Sequence, residues 1–158
     1  MKPGDLYHTG LVVDDFDATL DWFTKVAGYR WTAVVEVDQV AQTREGEITI
    51  PMRMAYSGTD PRVEVIQTIP GTIWIPADSG AHHLGYWSDD VESDVVTLEA
   101  TGMRYEVKAF NPDGSGTLLW AYCKGPARPR IELVSRAMEP FIAYWLATAD
   151  AASEATRG

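Results

Sequence analysis

The sequence predicts an α+β protein made of two tandem βαβββ modules, whose strands form a cupped mixed sheet with helices on its outer face. Three observations lead to this reading. Residues 7–15 and 82–90 share one plan: Tyr7-His8-Thr9-Gly10-Leu11-Val12-Val13-Asp14-Asp15 matches His82-His83-Leu84-Gly85-Tyr86-Trp87-Ser88-Asp89-Asp90, with Gly two positions after His and an Asp pair opening six positions after it. Helical periodicity follows each segment, and strand-like alternation follows each helix. Module 1 is expected over about 5–70, module 2 over about 81–136 and a C-terminal helix over about 139–152, all within a single domain, 1–158.

The elements follow in order. After the His8 strand, Phe16, Leu20, Phe23 and Ala27 recur at i, i+4, i+7 and i+11, the spacing of one helix face. The preceding Asp pair offers a carboxylate to the unpaired N–H groups of the first turn, and Gly28 stands where a left-handed residue ends a helix. Trp31, Ala33, Val35 and Val37 alternate with more polar neighbours, as in a half-buried strand. Residues 48–56 form the next strand, where Pro51 implies an edge or a bulge, and the turn Ser57-Gly58-Thr59-Asp60-Pro61 leads to a strand over 62–69. Residues 70–80 connect the modules, with Trp74 and Ile75 expected to be exposed at a partner surface or a pocket mouth.

The second module repeats the scheme. Val91, Val95 and Leu98 give the helix and Gly102 its stop; strands follow over 105–110, 117–124 and 130–135, the first two joined by Asn111-Pro112-Asp113-Gly114-Ser115-Gly116. Residues 140–152 read as a terminal helix, with a frayed tail beyond it.

Composition narrows the function classes. The 13 basic and 23 acidic side chains give a net charge of −10, which repels phosphate backbones and argues against nucleic-acid binding. No apolar run approaches the ~20 residues of a membrane span, and the start lacks an apolar secretory core. A lone Cys123 forms no internal disulfide and no thiolate cluster; it reads as a packed small hydrophobe in an apolar strand. A cytoplasmic protein is the simplest expectation.

Four residues stand at matched points of the repeat: His8 and His83 on the first strand of each module, Glu64 and Glu132 on the last. A glutamate in the middle of an apolar strand is costly to bury unpaired. Strand parity puts Glu64 on one face with Ile66, while Val63 and Val65 take the other. With helices covering the second face, both glutamates point into the cup. Singly, a strand His is a hydrogen-bonded core residue and a strand Glu a solvated edge. Jointly, at repeated positions, two imidazoles and two carboxylates are a ligand set for Zn, Ni, Co, Mn or Fe(II). His82 is the competing imidazole, and strand alternation turns it to the opposite face.

The residues His8-Thr9-Gly10-Leu11-Val12-Val13-Asp14-Asp15, His83-Leu84-Gly85 and Arg130-Ile131-Glu132-Leu133-Val134 resemble the vicinal oxygen chelate superfamily, which includes glyoxalase, methylmalonyl-CoA epimerase, extradiol dioxygenases and bleomycin- or fosfomycin-resistance proteins. The resemblance spans about 6–135 and implies paired βαβββ modules, with metal ligands at the same four positions. Gly125-Pro126-Ala127-Arg128-Pro129 departs from the shorter turn of the relatives and places the pocket rim in question. The family hosts many reactions, so the likeness bears on architecture more than on activity.

Ligand count orders the chemistries. A dioxygenase of this family would use two His and one Glu, and Glu64 would add a fourth ligand. Two adjacent positions then stay open for vicinal oxygens, which favours a metal-dependent lyase, isomerase or epimerase. Proton transfer would run through a metal-stabilised enediolate on a small oxygen-chelating substrate, with Glu64 or Glu132 as the base. The alternatives are non-catalytic capture of a small molecule, such as an antibiotic, in an aromatic groove, and last an Fe(II) extradiol dioxygenase. Tyr56, Trp74, Trp120 and Tyr122 are the expected substrate-binding residues, with Trp87 beside them. The Asp pairs need no catalytic role, and Gly114-Ser115-Gly116 is a turn rather than a phosphate loop. The apolar terminal helix (Phe141, Ile142, Tyr144, Trp145, Leu146) would cover the core or a homodimer seam.

Overall fold

The computed structural model describes residues 1–126 and 129–155; Ala127 and Arg128 of the rim segment, and residues 156–158 of the expected tail, lie outside the described residues. The elements run β1 (Leu6–Val13), α1 (Phe16–Ala27), β2 (Val35–Thr43), β3 (Glu47–Tyr56), β4 (Val63–Gln67), β5 (His83–Ser88), α2 (Val91–Ala100), β6 (Arg104–Phe110), β7 (Leu118–Lys124), β8 (Arg130–Ser135) and α3 (Glu139–Ala155). The two βαβββ modules are therefore present. Asp15 and Asp90 cap α1 and α2, their carboxylates accepting from the N–H of Ala18 and Ser93.

All eight strands join one mixed sheet in the order β1-β4-β3-β2-β6-β7-β8-β5. Within each module the first strand runs parallel to the last, β1 beside β4 and β5 beside β8. The modules meet through antiparallel β1 and β5. On the far side β2 and β6 pair only at Gln42 with Lys108 and Thr43 with Val107, which closes the expected cup into a barrel.

Strand 2 differs from the sequence reading. It starts at Val35, later than Trp31, and extends to Thr43; Trp31 makes only an isolated bridge to Ser57. Around Ala33 the backbone is taken by α3 instead of by a ladder: Ala33 N–H donates to Thr148 Oγ1 and its carbonyl accepts from Trp145 Nε1–H. The remainder of β2 is mostly exposed, with Ala41 its one fully buried residue, so it carries no apolar alternation to read. Pro51 pairs with Asp38 at a level of β3 that β4 does not reach, in keeping with the edge expected there.

Two helices cover the outer face. Phe16 and Leu20 of α1 pack on Ala55 and Val65. Val91, Val95 and Leu98 of α2 pack on Ala121, Cys123 and Leu133. Burial pushes the Cys123 thiol up to about 12, so it is a packed apolar group, as expected. The third helix does something else. Ile142 and Trp145 of α3 reach Tyr56, Tyr7, Val35 and Met54, residues of the barrel interior, so α3 sits across one end of the barrel. Burying those two side chains contributes about 2 kcal/mol each.

Candidate metal centre

Strand parity delivers the four acid and imidazole side chains to the barrel interior. On β4, Val65 packs outward on α1, while Glu64 and Ile66 face in; on β8, Leu133 packs under α2, while Glu132 and Val134 face in. All four of His8, Glu64, His83 and Glu132 are buried, and one potential ligand atom from each lies within 4.8 Å of the others. His8 Nε2 stands 2.9 Å from His83 Nε2, 3.0 Å from Glu132 Oε2 and 3.6 Å from Glu64 Oε2. His83 Nε2 stands 3.1 Å from Glu64 Oε2 and 3.4 Å from Glu132 Oε2.

These spacings suit a coordination shell. Bonds of about 2.0–2.2 Å place neighbouring ligand atoms roughly 2.8–3.6 Å apart in tetrahedral or octahedral geometry. The carboxylate atoms support the same reading: Glu64 Oε2 and Glu132 Oε2 are buried and have no aligned hydrogen bond. Two buried carboxylate oxygens set against two imidazole nitrogens form a donor set that a cation between them would satisfy.

Glycine makes this convergence possible. The imidazole of His83 lies over Gly10, and that of His8 over Gly85, so closely that a Cβ on either glycine would overlap the ring. Each module's glycine is thus the seat of the other module's histidine. The repeated His-x-Gly spacing, visible in the sequence, has this cross-strand meaning.

Without a cation, His83 holds a second proton more firmly than a free imidazole. Burial alone would hold its imidazole neutral, but the carboxylates of Glu132 and Glu64, 3.4 and 3.1 Å from its Nε2, outweigh that and raise it to about 9. Burial opposes ionisation of Glu132 too, yet His8 and His83 hold its carboxyl well below the usual range. Tyr7, Tyr56 and Tyr122 are pushed far up by burial and then by the two carboxylates, so their hydroxyls stay protonated.

His82 is not turned away, contrary to the sequence reading. It precedes the first residue of β5, where strand alternation does not yet apply. Its Nδ1 lies 2.9 Å from His83 Nδ1 and its Nε2 2.7 Å from the Ile73 carbonyl. A carbonyl only accepts, so His82 carries its proton on Nε2 and accepts at Nδ1 from His83 Nδ1–H. Burial, followed by the charge of His83, lowers His82 to about 4 and keeps it neutral. The chain of bonds fixes the His83 ring with Nε2 toward the carboxylates. His8 has no such support, since its buried Nδ1 lacks a partner. His82→Ala is expected to weaken divalent-ion affinity about 10–100-fold, measured by competition with a chromogenic chelator, with the fold intact by circular dichroism.

A cavity of about 330 Å³ opens above the two carboxylates. All four expected substrate-binding residues, Tyr56, Trp74, Trp120 and Tyr122, line it. Trp74 is nevertheless a correction: it is 1% exposed, inserted as a wall of the cavity against Tyr122 and Trp120, while Ile75 is 49% exposed. Trp87 does not line the cavity; it stacks on Tyr7 with centroids 4.0 Å apart. The sequence reading missed Tyr7. A bulge in β1 between Leu6 and His8 breaks alternation and brings both Tyr7 and His8 inward, ring against ring at 4.4 Å. Phe141, Ile142 and Trp145 of α3 complete the lining.

The comparisons with known proteins agree with this architecture. The family described as the Glyoxalase/Bleomycin resistance protein/Dioxygenase superfamily matches residues 7–122. An uncharacterized protein, YwbC, of Bacillus subtilis (strain 168) is 23% identical over 129 residues, covering 82% of this chain and 95% of the relative. A Streptomyces coelicolor methylmalonyl-CoA epimerase, solved in complex with 2-nitronate-propionyl-CoA, superposes with a TM-score of 0.56 at 19% identity, covering 84% of this chain and 97% of that one. A hypothetical protein from Bacillus halodurans C-125 gives a TM-score of 0.53 at 14% identity, covering 83% and 93%. At these identities the structural likeness is one of fold.

Proposed function

Because the chain belongs to the glyoxalase/bleomycin resistance protein/dioxygenase superfamily, we propose that it is a metal-dependent lyase, isomerase or epimerase that moves a proton on a small oxygen-chelating substrate. The observation that carries this reading is the convergence of His8, Glu64, His83 and Glu132 beneath a cavity that both carboxylates line. A divalent ion of the Zn, Ni, Co, Mn or Fe class, bound there, supplies Lewis acidity to a substrate carbonyl and stabilises negative charge on its oxygen.

The protein's own groups do the remainder. Glu64 or Glu132 takes the proton from the carbon next to the carbonyl onto a carboxylate oxygen and returns it at the product position. The fourth ligand, Glu64, favours this chemistry over an extradiol dioxygenase, whose two-His, one-carboxylate centre leaves more room for O₂. The phenols of Tyr56 and Tyr122, held protonated, hydrogen-bond Glu64 and Glu132 and so orient the two carboxylates, and Trp74 and Trp120 form the apolar walls. A largely apolar lining would limit the water that could quench a carbanion.

Exchange of a C–H α to a carbonyl tests the reading directly. In D₂O, chelating hydroxyketones are expected to lose their α-proton NMR signal in the presence of the protein. EDTA should stop the exchange and a restored divalent ion should revive it; Glu64→Gln and Glu132→Gln should show which carboxylate moves the proton. Exchange indifferent to EDTA sinks the metal mechanism. Capture without catalysis, the second reading, is favoured by the aromatic lining and would show ligand binding unaffected by His8→Ala.

Two further expectations belong to the same proposal. The exposure of Phe141 and Tyr144 on α3, 58% and 77%, supports a homodimer seam. A cytoplasmic setting rests on the single, unpaired Cys123; among the described residues, no helix is long and apolar enough to cross a membrane.

A further inference from the structure

We infer that the substrate is a compact molecule with an aryl or branched-alkyl body and hydrogen-bond-accepting oxygens, with no anionic tail such as a nucleotide or carboxylate. This inference rests on the chelating role proposed for the four-residue centre and specifies what that centre acts on. Three observations lead to it.

The first is charge. Among the described residues, Glu64 and Glu132 are the charged side chains that line the cavity, and no Lys or Arg does so. With a divalent ion bound between two neutral imidazoles, those carboxylates are balanced and nothing is left over to neutralise a substrate anion. A carboxylate or phosphate brought into such a chamber would lose its hydration without a partner. The net charge of −10 adds repulsion on approach.

The second is unsatisfied donors. Tyr7 Oη and Trp74 Nε1 are both buried, both belong to residues lining the cavity, and neither has a well-aligned hydrogen bond, each having only a neighbouring phenol, Tyr56 and Tyr122 respectively, within reach. Trp Nε1–H can only donate, and a phenol hydroxyl has one proton to donate. Two neutral donors on residues that wall an apolar chamber match neutral acceptors, such as carbonyl, hydroxyl or ether oxygens, better than anions.

The third is size and shape. The 330 Å³ cavity corresponds to roughly ten water volumes, so it suits a small ring or branched chain. Val35, Val37, Met52, Met54 and Val134 line it in addition to the aromatic rings, and α3 crosses its end with Phe141, Ile142 and Trp145. The walls match flat or branched apolar groups.

The test uses the full chain loaded with Co²⁺, whose visible absorption reports occupancy of the centre. Three probes are titrated by quenching of tryptophan fluorescence: α-hydroxyacetophenone, hydroxypyruvate with a carboxylate in place of the phenyl ring, and methylmalonyl-CoA. The aryl probe is expected to bind at least about tenfold tighter than either anionic probe and to shift the Co²⁺ spectrum. Tyr7→Phe should weaken the aryl probe about five- to tenfold and leave Co²⁺ loading unchanged. Equal or tighter binding of an anionic probe to the loaded protein, or no binding of the aryl probe, overturns the inference while the metal centre stands. Failure of Co²⁺ to load, or aryl binding identical with and without Co²⁺, overturns the chelating reading instead.

Discussion

Gly10→Ala and Gly85→Ala are each expected to abolish stoichiometric cation binding, with a loss of affinity of at least about 100-fold. The new methyl group would occupy the volume of an imidazole: His83 above Gly10, His8 above Gly85. Neither ring can step aside. His8 is held edge-on between Tyr7 and Tyr56, at centroid distances of 4.4 and 5.3 Å. His83 is held between Tyr122 and His82, at 5.1 and 5.2 Å. Forcing an extra carbon into such packing costs about 1–3 kcal/mol even where the structure yields, and here it yields by moving a ligand. Metal analysis after dialysis, beside calorimetric melting, reads both effects. Gly4→Ala is the control, because a Cβ there meets nothing within 4 Å. Wild-type metal content in both site variants would mean that the histidines do not hold the ion.

Stability of the metal-free protein is expected to peak near pH 6–7, and the gain from metal to grow on the alkaline side. His83 is raised from an unfolded value of 6.5 to about 9, so its contribution is fully present below 6.5 and is lost as pH rises through 9. That shift corresponds to a loss on the order of 3 kcal/mol. On the acid side two groups act. His82, lowered to about 4, stabilises the fold above 6.5 and ceases to do so as pH falls toward 4. Glu132, also lowered, gives stability above its unfolded value that is lost at still lower pH. A divalent ion takes the place of the His83 proton, so the loaded protein should not show the alkaline decline. Binding near neutral pH should release about one proton per ion and weaken about tenfold per unit of falling pH. Titration calorimetry in buffers of different ionisation enthalpy measures the proton count. No proton release at pH 7 would place the cation elsewhere.

The convergence of His8, Glu64, His83 and Glu132 was legible because it depends on two simple regularities. Strand parity fixes which face Glu64 and Glu132 take, and duplication pairs each with a histidine at the head of its module. What stayed hidden depends on breaks in regularity or on contacts between modules. Tyr7 enters the cavity through a bulge, which has no sequence signature here. His82 lies one residue ahead of β5, so parity gave the wrong face. Gly10 and Gly85 were recognised as part of a repeat, but their role appears only in the β1–β5 register, where His8 sits opposite Gly85 and Gly10 opposite His83. Trp74 lies in a Pro- and Gly-bounded connector, the type of segment that normally stays on the surface; instead the turn in which Ile69 N–H donates to the Trp74 carbonyl folds the indole inward. The closure of the barrel was unreadable because β2 is nearly all polar where it meets β6.

The reciprocal seating of each imidazole on the opposite glycine would make an ion bound there a sensor of wholeness. Half of the chain supplies one nitrogen and one oxygen donor and an empty notch, which is too little to retain a transition metal against a chelator. Cutting the polypeptide between Pro70 and Gly80 should therefore give two pieces whose reassembly requires the cation, with zinc or cobalt driving complementation as a rivet joins two plates.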